Sequence, residues 1–291
     1  MLTRENIINE LTERNIVAKP VDVTKNGVVL KGITLGDGPV CPTLYVDRFE
    51  EYQEEDLEDA IDEILYQYNK AKEQMPSINP SQLMDWNYIK DRLQLCLQPK
   101  GTEDILKRDF LDLEEYVRVL IMTDGETTGS FKVRPEHLNH LGVTEDEVFE
   151  AAWKCTEPTI EVQDMAVVMA EMMGMSIEDA MELQKANPMI VASNEQKVHG
   201  AIAMKADFKL TEIAERYQSD LAILPSSIHE ILLLPVKEDM NFRELGTMVR
   251  EINATQVSPE EVLSNHAYRY SRDEKSITYY CGVKNSDKHI F

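Results

Sequence analysis

Two short runs of apolar residues, separated by a polar break, form the clearest pattern in the chain. The runs cover residues 221–224 and 231–234, and each is followed by a proline, Pro225 or Pro235. Each run has the length of a buried strand and is too short to form a stable helix by itself. The pattern therefore predicts two neighbouring strands, with the largely polar residues 226–230 at their junction.

Strand-like patterns also occur towards both ends of the chain. Asn26 and Gly27 lie between valine-rich segments, and the pair is a strong hairpin signal because both residues tolerate positive φ. Residues 268–280 alternate around a polar turn, which predicts a second hairpin. Residues 188–192 and 200–204 predict a third hairpin around a polar loop.

Apolar residues recur at helical spacing in several other segments. Examples are residues 4–15, 208–217 and 242–252, each with one apolar stripe. Because neighbouring strands are joined by short turns, we expect antiparallel pairing. The fold class that follows is α+β, with a mixed, mainly antiparallel sheet and packed amphipathic helices.

The predicted division of the chain has three parts. Residues 1–75 contain an N-terminal hairpin plus an acidic helix, residues 81–283 form the main α+β domain, and residues 284–291 are a polar tail. A polar, proline-bearing linker separates the first two parts. The alternative is a single domain.

One predicted helix is rich in methionine, with Met165, Met169, Met172 and Met173 close together. Methionine fills gaps in protein cores, and it is also frequent at adaptable binding grooves. The core interpretation is favoured here, and a binding groove is the alternative.

The balance of charge narrows the classes of partner. The chain of 291 residues has 53 acidic and 30 basic residues, a net charge of −23. We expect no direct nucleic-acid binding, because a broad interface with phosphates needs Lys and Arg.

The N-terminus lacks an apolar signal core, and no stretch approaches the ~20 apolar residues of a spanning helix. With four cysteines and no Cys-x-x-Cys pair, these features predict a cytoplasmic protein with reduced thiols and no membrane association.

Much of the negative charge lies in one segment that also has helical apolar spacing. Leu57, Ile61 and Ile64 mark its buried face, and acidic residues cover the rest. Such a face fits a basic protein partner, and a merely solvated surface is the alternative. The predicted partner-binding residues are Glu54, Glu55, Glu58, Asp59 and Asp62.

The break between the two apolar runs carries the candidate catalytic residues Ser227, His229 and Glu230, with Arg250 further along the chain. On a strand, Ser227 and His229 share a face and Glu230 points the other way, so these neighbours cannot form a triad alone. There is no Gly-x-Ser-x-Gly motif. The alternative is a polar turn whose Ser226 and Ser227 hydroxyls satisfy backbone groups, and Arg250 fits either a pocket or a helix cap.

No metal or cofactor site is predicted. His137 and His140 share a helical face, but no nearby carboxylate spacing completes a metal site. His199, His266 and His289 are isolated in the sequence.

Four segments resemble an uncharacterised family of gut Firmicutes proteins, a domain of unknown function often encoded with mobile elements. The most specific are LPSSIHE at 224–230 and MVREINATQVSPEEVLS at 248–264. FLDL at 110–113 and LGVTEDE at 141–147 are similar to the family's central part. The resemblance covers most of the chain and implies no reaction and no site residues.

The function predicted from these features is non-enzymatic. We expect an acidic protein that binds a protein partner, and the candidates include a basic or nucleic-acid-handling one. The alternative is a hydrolase-type enzyme at the 225–230 turn, with His229 as base and Ser227 or Glu230 assisting. A structural component of a mobile-element particle is a third class, and the oligomeric state is left open.

Overall fold

Helices and antiparallel strands make up most of the described chain. The computed structural model describes residues 1–38, 41–74, 79–123, 126–174, 176–186, 188–225 and 227–280. Every strand pairing among these residues is antiparallel, in three sheets. The predicted α+β class is confirmed. The predicted tail at 284–291 lies outside the described residues.

The N-terminal part is a three-stranded sheet packed against two helices. Its elements in chain order are α1 (Arg4–Glu13), β1 (Ala18–Lys25), β2 (Val28–Leu35), β3 (Thr43–Tyr45) and α2 (Leu57–Gln74). Asn26 and Gly27 have φ of 52° and 80°, which gives the tight turn between β1 and β2 and confirms the predicted hairpin. Ile7, Leu11 and Ile61 belong to a hydrophobic core that this part forms by itself.

The central sheet has one apolar and one polar face. Its strands are β4 (Leu93–Pro99), β5 (Lys107–Phe110), β6 (Leu113–Thr123) and β7 (Glu126–Lys132), and β6 pairs with the other three. Leu95 and Val117 face the main core, whereas Gln94 and Arg118 lie on the opposite face and are also buried. The central sheet is therefore buried on both faces, of which one is apolar and the other polar.

Three helices accompany the central sheet: α3 (Trp86–Ile89), α4 (Pro135–Leu141) and α5 (Glu145–Thr156). Thr156, the last residue of α5, forms a side-chain hydrogen bond with the outer edge of β4. The Leu95 N–H donates to Thr156 Oγ1 over 2.8 Å, and Thr156 Oγ1 donates to the Ala152 carbonyl at the same distance. A side chain thus replaces the strand partner that an edge strand lacks.

The C-terminal part contains a six-stranded sheet with the order β13-β12-β10-β11-β9-β8. The strands are β8 (Ile160–Asp164), β9 (Ile190–Asn194), β10 (Leu221–Pro225), β11 (Ile231–Pro235), β12 (Ala267–Ser271) and β13 (Ser276–Tyr280). The helices are α6 (Met165–Met173), α7 (Ile177–Ala186), α8 (Asp207–Tyr217) and α9 (Phe242–Gln256). The two apolar runs pair as β10 and β11, from Leu221 opposite Pro235 to Pro225 opposite Ile231, as predicted.

The predicted hairpin between residues 188–192 and 200–204 is wrong. Both edges of β9 are already occupied, by β8 and by β11, so no edge remains for a further strand. The second segment instead forms a buried 3₁₀ helix, Gly200–Lys205. Its apolar residues are buried, but their backbone is helical and not extended as the hairpin prediction required.

The methionine-rich helix is also less buried than predicted. Met172 and Met173 are 82% and 68% exposed, so the core interpretation is wrong for these two residues. The helix α6 packs through the small residues Ala166 and Ala170 against Ala180 of α7. Among the residues that the structure describes, no helix is both long enough and apolar enough to cross a membrane.

Candidate functional site

A cleft of about 580 Å³ opens between the β1–β2 hairpin and the polar face of the central sheet. Its remaining walls are residues 228–229, at the break between β10 and β11, and residues 260–261, after α9. The lining includes Lys25, Tyr116, Arg118, Lys132, Arg134, His137, His199, His229, Glu103, Glu260 and Glu261. The volume is that of a typical small-molecule site.

The hairpin is tied to the far wall of the cleft by its turn. Asn26 Nδ2 donates to the Val262 carbonyl over 2.5 Å. The other amide atom, Asn26 Oδ1, is buried and has no hydrogen-bond partner among the described residues. Next to the turn, Lys25 Nζ lies 4.2 Å from the ring centroid of Tyr45. The cleft thus depends on contact between an early and a late segment of the chain.

Arg118 is the buried cation of the cleft. It is 8% exposed, and strand register places it opposite Gln94 on β4 and Lys132 on β7. Its Nε donates to Gln94 Oε1 over 2.6 Å, and its Nη1 lies 3.4 Å from Ser130 Oγ. Among the described residues, both hydrogen-bond partners of this guanidinium, Gln94 and Ser130, are neutral.

Lys132 has a different environment from Arg118. Its Nζ donates to Glu103 Oε2 over 2.5 Å and to Gln98 Oε1 over 3.2 Å, and it lies 4.9 Å from the ring centroid of Tyr116. The Lys132 charge is therefore balanced by a carboxylate. Among the residues that the structure describes, Lys132 thus has a carboxylate partner, whereas the hydrogen-bond partners of Arg118 on the neighbouring strands are neutral.

His199 lines the cleft as a neutral imidazole. Its Nδ1 is 3.3 Å from the Tyr116 hydroxyl, and its backbone is left-handed with φ of 55°. Burial, and then the nearby Arg118 charge, lowers the pKa of His199 to about 2. Burial also raises the pKa of Tyr116 well above its usual value, so both groups are uncharged near neutral pH.

His229 has a fixed tautomer. The backbone N–H of His199 donates to His229 Nδ1 over 3.2 Å, so the proton of the neutral ring is on Nε2. That nitrogen lies 3.4 Å from Glu261 Oε1. The His229 carbonyl accepts a 2.8 Å hydrogen bond from Ser193 Oγ, which holds the residue from the other side. His229 therefore presents an N–H donor towards Glu261.

The other predicted catalytic residues lie in different surroundings. Ser227 Oγ accepts a hydrogen bond from the His229 N–H over 3.0 Å, as in the polar-turn alternative. Glu230 is half-buried, and Arg250 is exposed on α9, where its Nη2 donates to Thr247 Oγ1 over 2.9 Å. Of the four residues, His229 is the one found among the described lining of the cleft. Ser226 lies outside the described residues.

Sequence reasoning missed Arg118, Lys132, His199 and Glu261. One signal was present: Arg118 interrupts an otherwise apolar run at 117–121, and a charge inside a buried strand needs an explanation. The other three come from separate segments whose convergence is set by strand register and by the long connection to α9.

The predicted acidic surface is present on α2 and on the turn before it. Glu55, Glu58, Asp59 and Asp62 are exposed, while Ile61 and Ile64 on the opposite side are buried. Glu58 Oε2 pairs with Arg14 Nη2 at 2.5 Å, so part of the charge is balanced within the chain. The side chain of Glu54 lies outside what the structure describes.

A sequence model described as a family of unknown function (DUF5688) matches residues 3–272. The chain belongs to this family. The resemblance to an uncharacterised family is thereby confirmed for this DUF5688 protein, over nearly its whole length. No curated protein and no solved structure matches the chain. The described part of the DUF5688 chain contains no group of three or more His, Cys, Asp or Glu residues placed to hold a metal ion.

Proposed function

We propose that this DUF5688 protein binds a small anionic ligand in the cleft, with Arg118 as the group that anchors the negative charge. One observation carries the proposal: a guanidinium that is 8% exposed lies in the cleft wall, and its two hydrogen-bond partners among the described residues, Gln94 and Ser130, are neutral. The His229 Nε2–H is a hydrogen-bond donor from another wall of the same cleft.

The physical reason is the cost of burying a charge. Burying a guanidinium away from water costs about 3–5 kcal/mol when no opposite charge compensates it. Gln94 and Ser130 orient Arg118 without neutralising it. A bound carboxylate or phosphate would supply the counter-charge, and the planar guanidinium can bind either with two parallel hydrogen bonds.

The distribution of charge supports an anion rather than a cation. The chain as a whole has a charge of −23. The described lining of the cleft instead has four basic residues, Lys25, Arg118, Lys132 and Arg134, against three acidic ones, Glu103, Glu260 and Glu261. Local positive charge in a concave site attracts anions even when the surrounding surface is acidic.

The size of the cleft favours a small molecule over a polymer. A cleft of about 580 Å³ accommodates a compact ligand. An extended nucleic acid would also contact the outer surface, where the net charge of −23 disfavours the approach of further phosphates. The proposed ligand is therefore a small carboxylate or phosphate compound.

His229 supports binding better than the base role in the hydrolase alternative. A general base needs a nitrogen lone pair within reach of the substrate. In His229 one nitrogen accepts the His199 N–H and the other bears the proton. His229 is therefore proposed as a hydrogen-bond donor to the ligand or to Glu261.

The test is calorimetric titration of the whole chain with inorganic phosphate and with citrate. Arg118→Gln should weaken binding roughly 10-fold to 150-fold, because hydrogen bonds to charged groups contribute about 1.5–3 kcal/mol. Arg250→Gln is the matched control, since Arg250 is exposed and outside the cleft lining. Equal affinities of the two variants, or no binding of either anion by the unaltered protein, would contradict the proposal.

Loss of folding needs a separate control. Arg118→Lys keeps the charge while removing the fork of donors, so it should bind more weakly than the unaltered protein and more tightly than Arg118→Gln. Circular dichroism on all three variants separates lost binding from lost structure.

A second candidate function rests on the acidic surface of α2. The exposed Glu55, Asp59 and Asp62 form a dense negative face that fits a basic protein partner. The test is a pull-down from lysate at low and high salt, since attraction between exposed charges is screened by salt. A captured partner should be lost when the surface is neutralised at Glu54, Glu55, Glu58, Asp59 and Asp62, and unchanged capture would argue against this function.

A further inference from the structure

We propose that His266, oriented by Asp112, is a nucleophilic site that accepts acyl groups from uncharged esters. The site is independent of the anion-binding cleft, because His266 is not among the described residues that line it. It places a hydrolase-type activity away from the 225–230 turn.

The site joins two distant parts of the chain. Asp112 lies in the turn between β5 and β6, next to Leu111 with its φ of 57°, and His266 directly precedes β12. Asp112 Oδ2 is 2.6 Å from His266 Nδ1, although the two residues are 154 positions apart. This turn therefore places a carboxylate against the imidazole ring.

Further hydrogen bonds hold the carboxylate and the ring in place. Asp112 Oδ1 accepts from the Tyr268 hydroxyl over 2.8 Å, and Asp112 Oδ2 lies 3.4 Å from Ser264 Oγ. The His266 N–H donates to the same Ser264 Oγ over 3.1 Å. Positioning by several partners is what a reactive side chain needs to keep one orientation.

The carboxylate fixes the tautomer of His266. An ionised carboxylate only accepts hydrogen bonds, so Nδ1 bears the proton and Nε2 has the lone pair. Asp112 also stabilises the positive charge that develops on the ring when Nε2 attacks an electrophile. His266 thus has the tautomer opposite to that of His229.

The ring is accessible from solvent. The His266 side chain is 30% exposed, and the Tyr279 ring lies beside it with centroids 5.6 Å apart. An apolar acyl or aryl group can pack on this aromatic surface. Among the residues described, the Ser264 hydroxyl contacts Asp112 and the backbone N–H of His266. Because this hydroxyl has a positioning role, we assign the attack on the ester to the His266 imidazole.

Charge selects the class of electrophile. Asp112 next to the ring and the net charge of −23 disfavour anionic donors such as phosphoryl compounds. An uncharged ester has no such penalty. The Nε2 lone pair forms a bond to the ester carbonyl carbon, the bond to the leaving oxygen breaks, and the leaving group departs as an alkoxide or phenolate with that electron pair. The product on the protein is an Nε2-acyl-imidazolium, whose positive charge faces Asp112 through Nδ1–H. Water then attacks the acyl carbon, the C–N bond breaks with its electron pair returning to Nε2, and the carboxylic acid and one proton are released to solvent.

The test is hydrolysis of p-nitrophenyl acetate by the whole chain at pH 8, followed by release of p-nitrophenolate. His266→Gln should reduce the rate by at least about tenfold, because the variant lacks the Nε2 lone pair that attacks the ester. Asp112→Asn should also reduce it. His140→Gln is the matched control, because His140 is an exposed histidine on α4 and its loss should leave the rate unchanged.

A second measurement needs no variant and so is independent of any folding defect. Diethyl pyrocarbonate acylates neutral histidines, and mass spectrometry of the unaltered protein gives the rate at each one. His266 should react faster than the exposed His140. A His266 rate equal to or below that of His140, or ester hydrolysis that persists in His266→Gln, would overturn the proposal.

Discussion

The backbone N–H of His199 donates a hydrogen bond to Nδ1 of His229 over 3.2 Å. A backbone N–H cannot be deprotonated or rotated away without moving the chain, so this bond sets the protonation pattern of the imidazole. Asp112 does the reverse for His266, because a carboxylate at 2.6 Å requires a proton on Nδ1. Two histidines of one chain therefore have opposite neutral tautomers.

The tautomers are directly measurable. In ¹⁵N–¹H correlation spectra at pH 8, His229 should show a protonated Nε2 and His266 a protonated Nδ1, because each is fixed by its partner. The variants His229→Gln and His266→Gln assign the signals. A protonated Nδ1 in His229 would remove the basis for its donor role in the cleft.

Gly200→Ala should destabilise the protein. A Cβ at this position would lie 2.2 Å from Ser193 Oγ and 2.6 Å from both the Asn194 nitrogen and the His229 carbonyl oxygen. Two of these atoms are backbone, so the free energy of unfolding should fall by roughly 1–3 kcal/mol or more. Urea denaturation measures the loss.

Gly101→Ala is the control for that experiment, since its nearest atoms lie at 3.9 and 4.0 Å. It should unfold within about 0.5 kcal/mol of the unaltered protein, as surface substitutions usually do. Equal stabilities of the two variants would show that the Gly200 contact is not as close as described.

The stability of the protein should depend on His199 below about pH 6.5, the ordinary histidine pKa. Burial lowers the pKa of His199 to about 2 in the folded chain. Between these two values the unfolded chain binds a proton that the folded chain does not. The stabilisation is therefore complete above the unfolded pKa and is lost as the pH falls.

His199→Asn removes this linkage and keeps a residue that tolerates positive φ. Between pH 7 and pH 5, the free energy of unfolding should fall less steeply in the variant, by up to about 1.4 kcal/mol for each pH unit. His140→Asn should keep the slope of the unaltered protein. Identical slopes in all three proteins would mean that the pKa of His199 is the same in the folded and the unfolded chain, which would contradict the lowered value.

Thr156→Val should cost about 1–3 kcal/mol of stability although the two side chains have the same shape. The hydroxyl accepts the Leu95 N–H at the outer edge of β4, and valine leaves that buried donor unsatisfied. Thermal unfolding gives the change. Hydrogen exchange at Leu95 should also accelerate, and an unchanged exchange rate would contradict the assigned role.

Local sequence patterns predict the strands and turns that depend only on a few neighbouring residues. The runs on either side of Pro225 gave β10 and β11, and Asn26 with Gly27 gave the first hairpin. The 3₁₀ helix at Gly200–Lys205 was not predictable in this way, because it depends on β9 having both edges occupied. The same is true of the Arg118 site, which requires the register of β4, β6 and β7.

The same distinction holds for the predicted site residues. His229 was singled out from its neighbours, yet its role depends on the backbone of His199 and on Glu261, which no local pattern connects to it. His266 was regarded as isolated, and the turn that carries Asp112 is what gives it a partner. The local sequence identified His229 as a candidate residue. The partners that fix the tautomers of His229 and His266 come from distant segments of the chain.

The hydrogen bond from Asn26 to Val262 spans 236 positions. Contacts of such long range are entropically expensive to close and form late in folding. A nascent chain can complete the first hairpin and the polar sheet face while the opposite wall is still being synthesised. An anion that requires both walls would bind the finished protein alone, and by mass action it would slow the separation of the two segments during thermal unfolding or proteolysis.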